Sequence, residues 1–226
     1  MRLRFLFIPL AVPVFISIAF QPLLLRGVEP SFLLKGIQGT IELHSGAHQT
    51  AMFVSKETYL KNNSRVRIHR HSRTQLEVKV KSGASGLIWL SSFSKFFISK
   101  KGQLELEFGH ARVLSMSGNL ELQLPIGRVS FQPRSECFID MSTDRAAFNS
   151  IVRSGLRSPA SKVNALDSSV QFLQVSCVNG RAEFLDQTSL RLGKGDLVQF
   201  QEGAGAEVPE QVGVAEIRAI HRMLGI

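Results

Sequence analysis

The sequence predicts an all-β protein, a sandwich or a stack of short antiparallel β-hairpins, on three observations. From residue 36 to residue 201 apolar and polar residues alternate at period two in short runs, the pattern of strands with one face buried. Gly, Asn, Ser and Asp punctuate these runs at close intervals, as turns require. The composition is 44% hydrophobic and 20% charged over 226 residues. That suits one domain with a buried core and excludes wholesale disorder.

The runs follow in order. Ile37 to Leu43 opens the series, Val66 and Ile68 come next, and Leu76-Glu-Val78-Lys-Val80 alternates cleanly. Leu87 to Leu90 is continuously apolar, which predicts a more deeply buried strand. Phe93, Phe96, Phe97 and Ile98 follow. Leu104-Glu-Leu-Glu-Phe108 turns at Gly109-His110 and returns through Ala111 and Val113. Leu120 to Leu124 turns at Pro125-Ile-Gly127 and returns through Val129 and Phe131, after which Cys137, Ile139 and Met141 share one face. Phe172 to Cys177 leads into Asn179-Gly180, a pair that accepts the positive φ angles of a type I′ hairpin turn. Ala182 and Phe184 return from it, and Leu190-Arg-Leu192, Gly193-Lys-Gly195 and Leu197 to Phe200 close the series. Leu104 to Val113 and Leu173 to Phe184 form a weak internal repeat, each reading as a hairpin with a glycine turn and a small residue on the return.

Three segments break this rhythm. Residues 1–26 carry Arg2 and Arg4 before an apolar run from Phe5 to Leu25, with no acidic residue before Glu29. This is the make-up of a secretory signal, and Ser17-Ile18-Ala19 offers small residues for cleavage after Ala19. Residues 5–25 are equally long enough, as a helix, to cross ~30 Å of hydrocarbon as an uncleaved anchor, and both readings deliver the main body across the membrane. Residues 144–169 hold Ser150, Ser154, Ser158 and Ser161 among Arg145, Arg153, Arg157 and Lys162, the make-up of a long basic surface loop. In residues 209–226 the spacing of Val214, Ile217, His221 and Leu224 changes to three and four. It predicts a short amphipathic helix, begun by Pro209, that packs against the sheet.

No catalytic constellation emerges. The sequence has no G-x-S-x-G elbow, C-x-x-C pair, G-x-G-x-x-G turn or P-loop, so neither an enzyme nor a cofactor is expected. Glu105, Glu107 and Glu121 alternate with leucines and read as solvent-facing strand positions. His69 and His71 would share a strand face, but Arg65, Arg67, Arg70 and Arg73 crowd them with positive charge that opposes a metal cation. His44 and His48 have helical ligand spacing interrupted by Gly46. Cys137 and Cys177 read either as a disulfide, permitted outside the cytoplasm, or as two buried thiols.

The chain has 27 Lys and Arg against 18 Asp and Glu, a net charge of +9. Outside the cytoplasm the counter-surfaces for such charge are anionic lipid or cell-surface polymer, not nucleic acid. Residues 61–81, with 145–162, offer an anionic-surface patch centred on Arg65, Arg67, Arg70 and Arg73, or else a charged edge that blocks aggregation. Phe occurs 16 times against one Trp and one Tyr, a poor supply of the rings that stack on sugars or bases.

Gly86-Leu-Ile-Trp-Leu90-Ser-Ser-Phe93-Ser94, then Leu104-Glu-Leu-Glu-Phe-Gly109-His-Ala111-Arg-Val113, then Leu122-Gln-Leu-Pro125-Ile-Gly127-Arg-Val129, resembles the FecR-type extracytoplasmic domain. Gln171 to Phe184 would supply that family's last hairpin. The resemblance spans residues 36–201 and implies a non-enzymatic β domain of the bacterial periplasm or cell envelope, a sensor or scaffold that binds an envelope or membrane protein. Family members that regulate sigma factors do so through a cytoplasmic segment. Only Met1 to Arg4 would remain on that side here, so the expectation is a stand-alone FecR-like domain. The alternative from another class is an adhesive or structural envelope protein that binds anionic polymer through residues 61–81 and 145–162.

Overall fold

The computed structural model of the protein describes residues 30–45, 51–142, 172–186, 190–201, 205–206 and 209–223. The signal or anchor segment 1–26 and the basic loop 144–169 lie outside the described residues.

The predicted all-β class holds, as two sheets that share one core. The first sheet runs, in spatial order, through β18 (Gly205–Ala206), β17 (Asp196–Gln201), β14 (Phe172–Asn179), β13 (Glu136–Ser142), β10 (His110–Ser117), β7 (Ser85–Leu90), β6 (Arg73–Lys79), β1 (Ser31–Gln38) and β4 (Thr58–Leu60). A further strand, β19 (Glu210–Gln211), also pairs with β17. The second sheet runs through β16 (Arg191–Leu192), β15 (Ala182–Phe184), β12 (Gly127–Phe131), β11 (Leu120–Leu124), β9 (Leu104–Phe108), β8 (Lys95–Ile98), β5 (Ser64–Ile68), β2 (Ile41–Ser45) and β3 (Ala51–Val54). From β5 onward the chain alternates between the sheets and advances steadily along both. The fold therefore grows along one axis, each new strand laid beside the last. Alternate side chains of the facing strands fill the space between, with Leu34, Ile41, Val66, Leu76, Val113 and Val129 fully buried.

The alternation was read correctly, but several turns join sheets where hairpins were expected. Leu120 to Phe131 is a true hairpin, with Leu122 opposite Val129. Gly109 and Gly180 instead carry the chain from one sheet to the other: β9 pairs with β8 and β11, whereas β10 pairs with β7 and β13. At the 179–180 turn only Gly180 has positive φ (73°), and a type I′ turn needs it at both central residues. The weak repeat is thus a repeat of corners. At each, and also at Gly39 between β1 and β2, the residue after the glycine donates its backbone N–H to a buried serine hydroxyl on an adjacent crossing. Thr40 N donates to Ser72 Oγ at 2.8 Å, His110 N to Ser94 Oγ at 3.1 Å and Arg181 N to Ser135 Oγ at 2.9 Å. Ser94 and Ser135 return the bond to the carbonyls of His110 and Arg181. Backbone groups that leave a sheet at a buried corner need such partners.

Other differences are local. Ile37 to Leu43, expected as one strand, divides at Gly39 into β1 and β2. Leu87 to Leu90 buries only alternate residues, because the sheet's outer face is open there. One helix is described, α1 (Val214–Met223). It begins five residues after Pro209, because Glu210 and Gln211 extend against Leu197 and Asp196. The Gly213 carbonyl then opens the first turn by accepting from the N–H groups of Glu216 and Ile217.

One junction stands out. Among the described residues β9 and β11 are the only parallel neighbours, and a single pair, Gln123 opposite Glu105, joins them.

Candidate interaction surface

β3 and β4 close the same end of the two sheets, and among the described residues no further strand pairs with their outer backbone groups. Together they carry Met52, Phe53 and Tyr59, which are 54%, 73% and 71% exposed. Register explains each position. Met52 stands opposite inward-facing Leu43 but lies past the end of the core, and Phe53 stands opposite Glu42 on the outer face. Tyr59 stands opposite Leu33 on the outer face of the first sheet. β4 is flanked by Lys56, Glu57 and Lys61, whereas Ala51 to Ser55 contains neither charge nor proline. Edges are ordinarily guarded by those residues, so β3 is an unguarded edge bordered by large apolar side chains.

Beside it, Glu42 organises the outer face of the second sheet. Its carboxylate accepts from His44 Nε2 at 2.8 Å and His69 Nε2 at 2.9 Å, and Arg67 approaches to 3.7 Å. Burial alone would raise the Glu42 carboxyl, but the bonds from His69 and His44 and the charge of Arg67 hold it below the usual carboxylate range. Arg65 lies on the same face, paired with Glu107 at 2.8 Å and over the Phe97 ring at 5.4 Å. Of the four arginines singled out, the structure therefore brings Arg65 and Arg67 together and ties each to a carboxylate. β5 ends at Ile68, so Arg70 is exposed in the turn that follows. Arg73 opens β6 in the other sheet, where its Nε donates to Gln38 Oε1 at 2.6 Å. His71 sits in that turn with positive φ, so it does not share a strand face with His69.

At the other end, Cys137 and Cys177 face each other in the β13–β14 register and are joined as a disulfide inside the core. On the opposite face of those strands, Phe138, Asp140, Ser176 and Val178 lie under α1. Ile217 and His221 are buried on the helix face that meets them. The His221 ring stacks on Phe138 at 3.9 Å, its Nε2 is 3.2 Å from Ser176 Oγ, and its Nδ1 is 3.3 Å from Asp140 Oδ2. Asp140 Oδ1 in turn accepts from His110 Nδ1 at 3.0 Å. The order Asp–His–Ser is that of a hydrolytic relay. Here, however, Ser176 is wholly buried and Asp140 and His221 are each 1% exposed, so no substrate carbonyl can approach while the helix is docked. The cluster works as a clasp. Sequence reading missed it because the three residues come from separate elements, and only the shared face of Asp140 and Ser176 hints at it.

Burial lowers the His221 pKa, the Asp140 charge opposes that without cancelling it, and His110 reinforces it. The docked helix thus holds a neutral imidazole. An undocked His221 would take up a proton below its ordinary value of about 6.5. Docking is therefore at full strength above that value and is lost as pH falls from it through the depressed one. The titratable and charged groups around the clasp are Asp140, His110, Glu136 and Arg112 on the sheet and Arg218 on the helix. The amides of α1 should exchange with solvent faster at pH 5 than at pH 7.5 once intrinsic rates are divided out. His221→Gln should remove the difference; equal protection of the wild-type helix at both pH values, or a difference that persists in the variant, would rule out the clasp.

No family model matches the chain, and no curated protein matches it. Among solved structures it is similar to a protein from Parabacteroides distasonis described as a "putative anti-sigma factor". The TM-score is 0.46 and the identity 9%, over 68% of this chain and 62% of that one. A likeness at that level does not bear on function. Among the described residues, no helix is long and apolar enough to cross a membrane.

Proposed function

We propose that this is an exported, non-enzymatic FecR-like sensor or scaffold domain that recognises an envelope protein by strand addition at β3. The observation that carries the reading is the unguarded edge Ala51–Val54 with Met52 and Phe53 exposed beside it. An added strand would gain backbone hydrogen bonds from the edge and specificity from alternate side chains set against these residues. The FecR-like order of motifs in residues 86–131 and 171–200 supports the sensor or scaffold role. The alternative, adhesion to anionic polymer, draws less support because Arg65 and Arg67 are already engaged by carboxylates.

The test is site-specific photocrosslinking in the native envelope. A crosslinker at Phe53 should capture one discrete protein, and capture should survive 0.5 M salt because screening acts on exposed charges over about 10 Å or less. A crosslinker at Arg191, on the β16 edge, should not capture it. Loss of the product in salt, or equal capture from both sites, would defeat strand addition. Separately, replacing Arg65, Arg67, Arg70 and Arg73 by Gln should leave envelope binding unchanged. A collapse of binding in that variant would transfer the function to the polymer reading.

A further inference from the structure

The parallel junction opens a cleft. Only Gln123 and Glu105 pair between β9 and β11, and the residues before that pair on both strands line a cavity of about 290 Å³. Its apolar wall comes from both sheets: Phe32 and Val78 from the first, Leu104 and Leu122 from the second. Its rim is cationic, with Lys81, Lys101 and Arg128 against one carboxylate, Glu121. Arg128 is held by Asp186 at 3.0 Å. Lys81 and Lys101 are exposed, and among the described residues neither has an ion pair. Gln103 and Asn119 complete the polar mouth.

We propose that this cleft binds a small amphipathic anion, an unbranched apolar chain ending in a carboxylate. The chain would lie between the sheets and the carboxylate would meet Lys81 and Lys101. The wall chemistry fits the chain, and two lysines with no ion pair among the described residues fit the head, which would gain charge-assisted hydrogen bonds. Size sets the length. The volume sits at the low end of ligand pockets and holds about ten atoms the size of a water, which is the size of octanoate and well below that of a whole lipid. The inference is independent of strand addition at β3, which lies at the far end of the second sheet.

Isothermal titration calorimetry with octanoate, octanol and octylammonium tests it. Octanoate should bind saturably at one site, octanol about tenfold more weakly, and octylammonium more weakly still. The double variant Lys81→Gln/Lys101→Gln should reduce octanoate to the affinity of octanol and leave octanol unchanged. Val80→Trp, which fills the cavity from its half-buried wall, should abolish binding of both. Gln103→Trp blocks the mouth from an exposed position and gives the same reading where Val80→Trp fails to fold. Equal affinity for octanoate and octanol, octanoate binding undiminished in a folded blocked variant, or no saturable binding would each overturn the proposal. So would binding to phosphatidylglycerol vesicles that octanoate displaces, since the occupant would then be a lipid tail.

Discussion

Gly180→Ala is expected to lower the unfolding free energy by about 2–5 kcal/mol. Two costs combine. An L-residue at positive φ is strained by about 1–2 kcal/mol, and forcing extra volume into a packed site costs about 1–3 kcal/mol more. The second cost is specific to this corner. A Cβ on Gly180 would stand 2.6 Å from the Cα of Ser135, and Ser135 is held from both sides by Arg181. Relief would require moving the β12–β13 crossing. Gly83 is the control, with φ of +81° and nothing within 4 Å of an added Cβ. Gly83→Ala should therefore show the conformational cost alone, about 1–2 kcal/mol. Urea midpoints of the two variants decide the matter. Equal losses would mean that the corner adds nothing beyond backbone strain.

Removing the disulfide should have an effect of similar size. Cys137 and Cys177 are separated by 40 residues, and opening a loop of that length relaxes the unfolded chain by about 3–4 kcal/mol. The loop contains residues 143–171, so the bond fixes both flanks of that segment to adjacent strands whatever the segment itself does. The double variant Cys137→Ala/Cys177→Ala should unfold at lower urea. Reductant, added under conditions that open the core, should move the wild-type protein toward the variant and leave the variant where it is. A wild-type midpoint unchanged by reductant after full thiol titration would show that the bond contributes nothing to stability.

Much of the fold was legible because burial of one face imposes period two. Leu104 to Phe108 and Leu120 to Leu124 could be read directly, since every second residue faces the core. Sheet membership could not. A glycine that reverses a strand within one sheet and a glycine that hands it to the other have the same local sequence, and only the serine each packs against tells them apart. Edge strands escaped for the opposite reason: Ala51 to Val54 buries only Val54, so it leaves no alternation to detect. The arginine cluster was visible as a run of charge, but the end of β5 at Ile68 divides it between two sheets. His221 was placed on the buried face of its helix, while its partners Asp140 and Ser176 depended on which strands the helix crosses. The cleft lies between strands that are not neighbours in sequence, so no local pattern announces it.

The junction between β9 and β11 has a mechanical meaning as well. Across it, the second sheet is joined by one residue pair, whereas β7 and β10 in the first sheet are joined by six. A tensile load along the axis of the stack would therefore be carried past this junction almost wholly by the first sheet, with the second sheet slack beside it. If a partner held the β3 end while the far end was tethered, the molecule would yield first in the two ladders that flank β10, joined by six pairs to β7 and five to β13, and part into two blocks of strands, each still paired within itself.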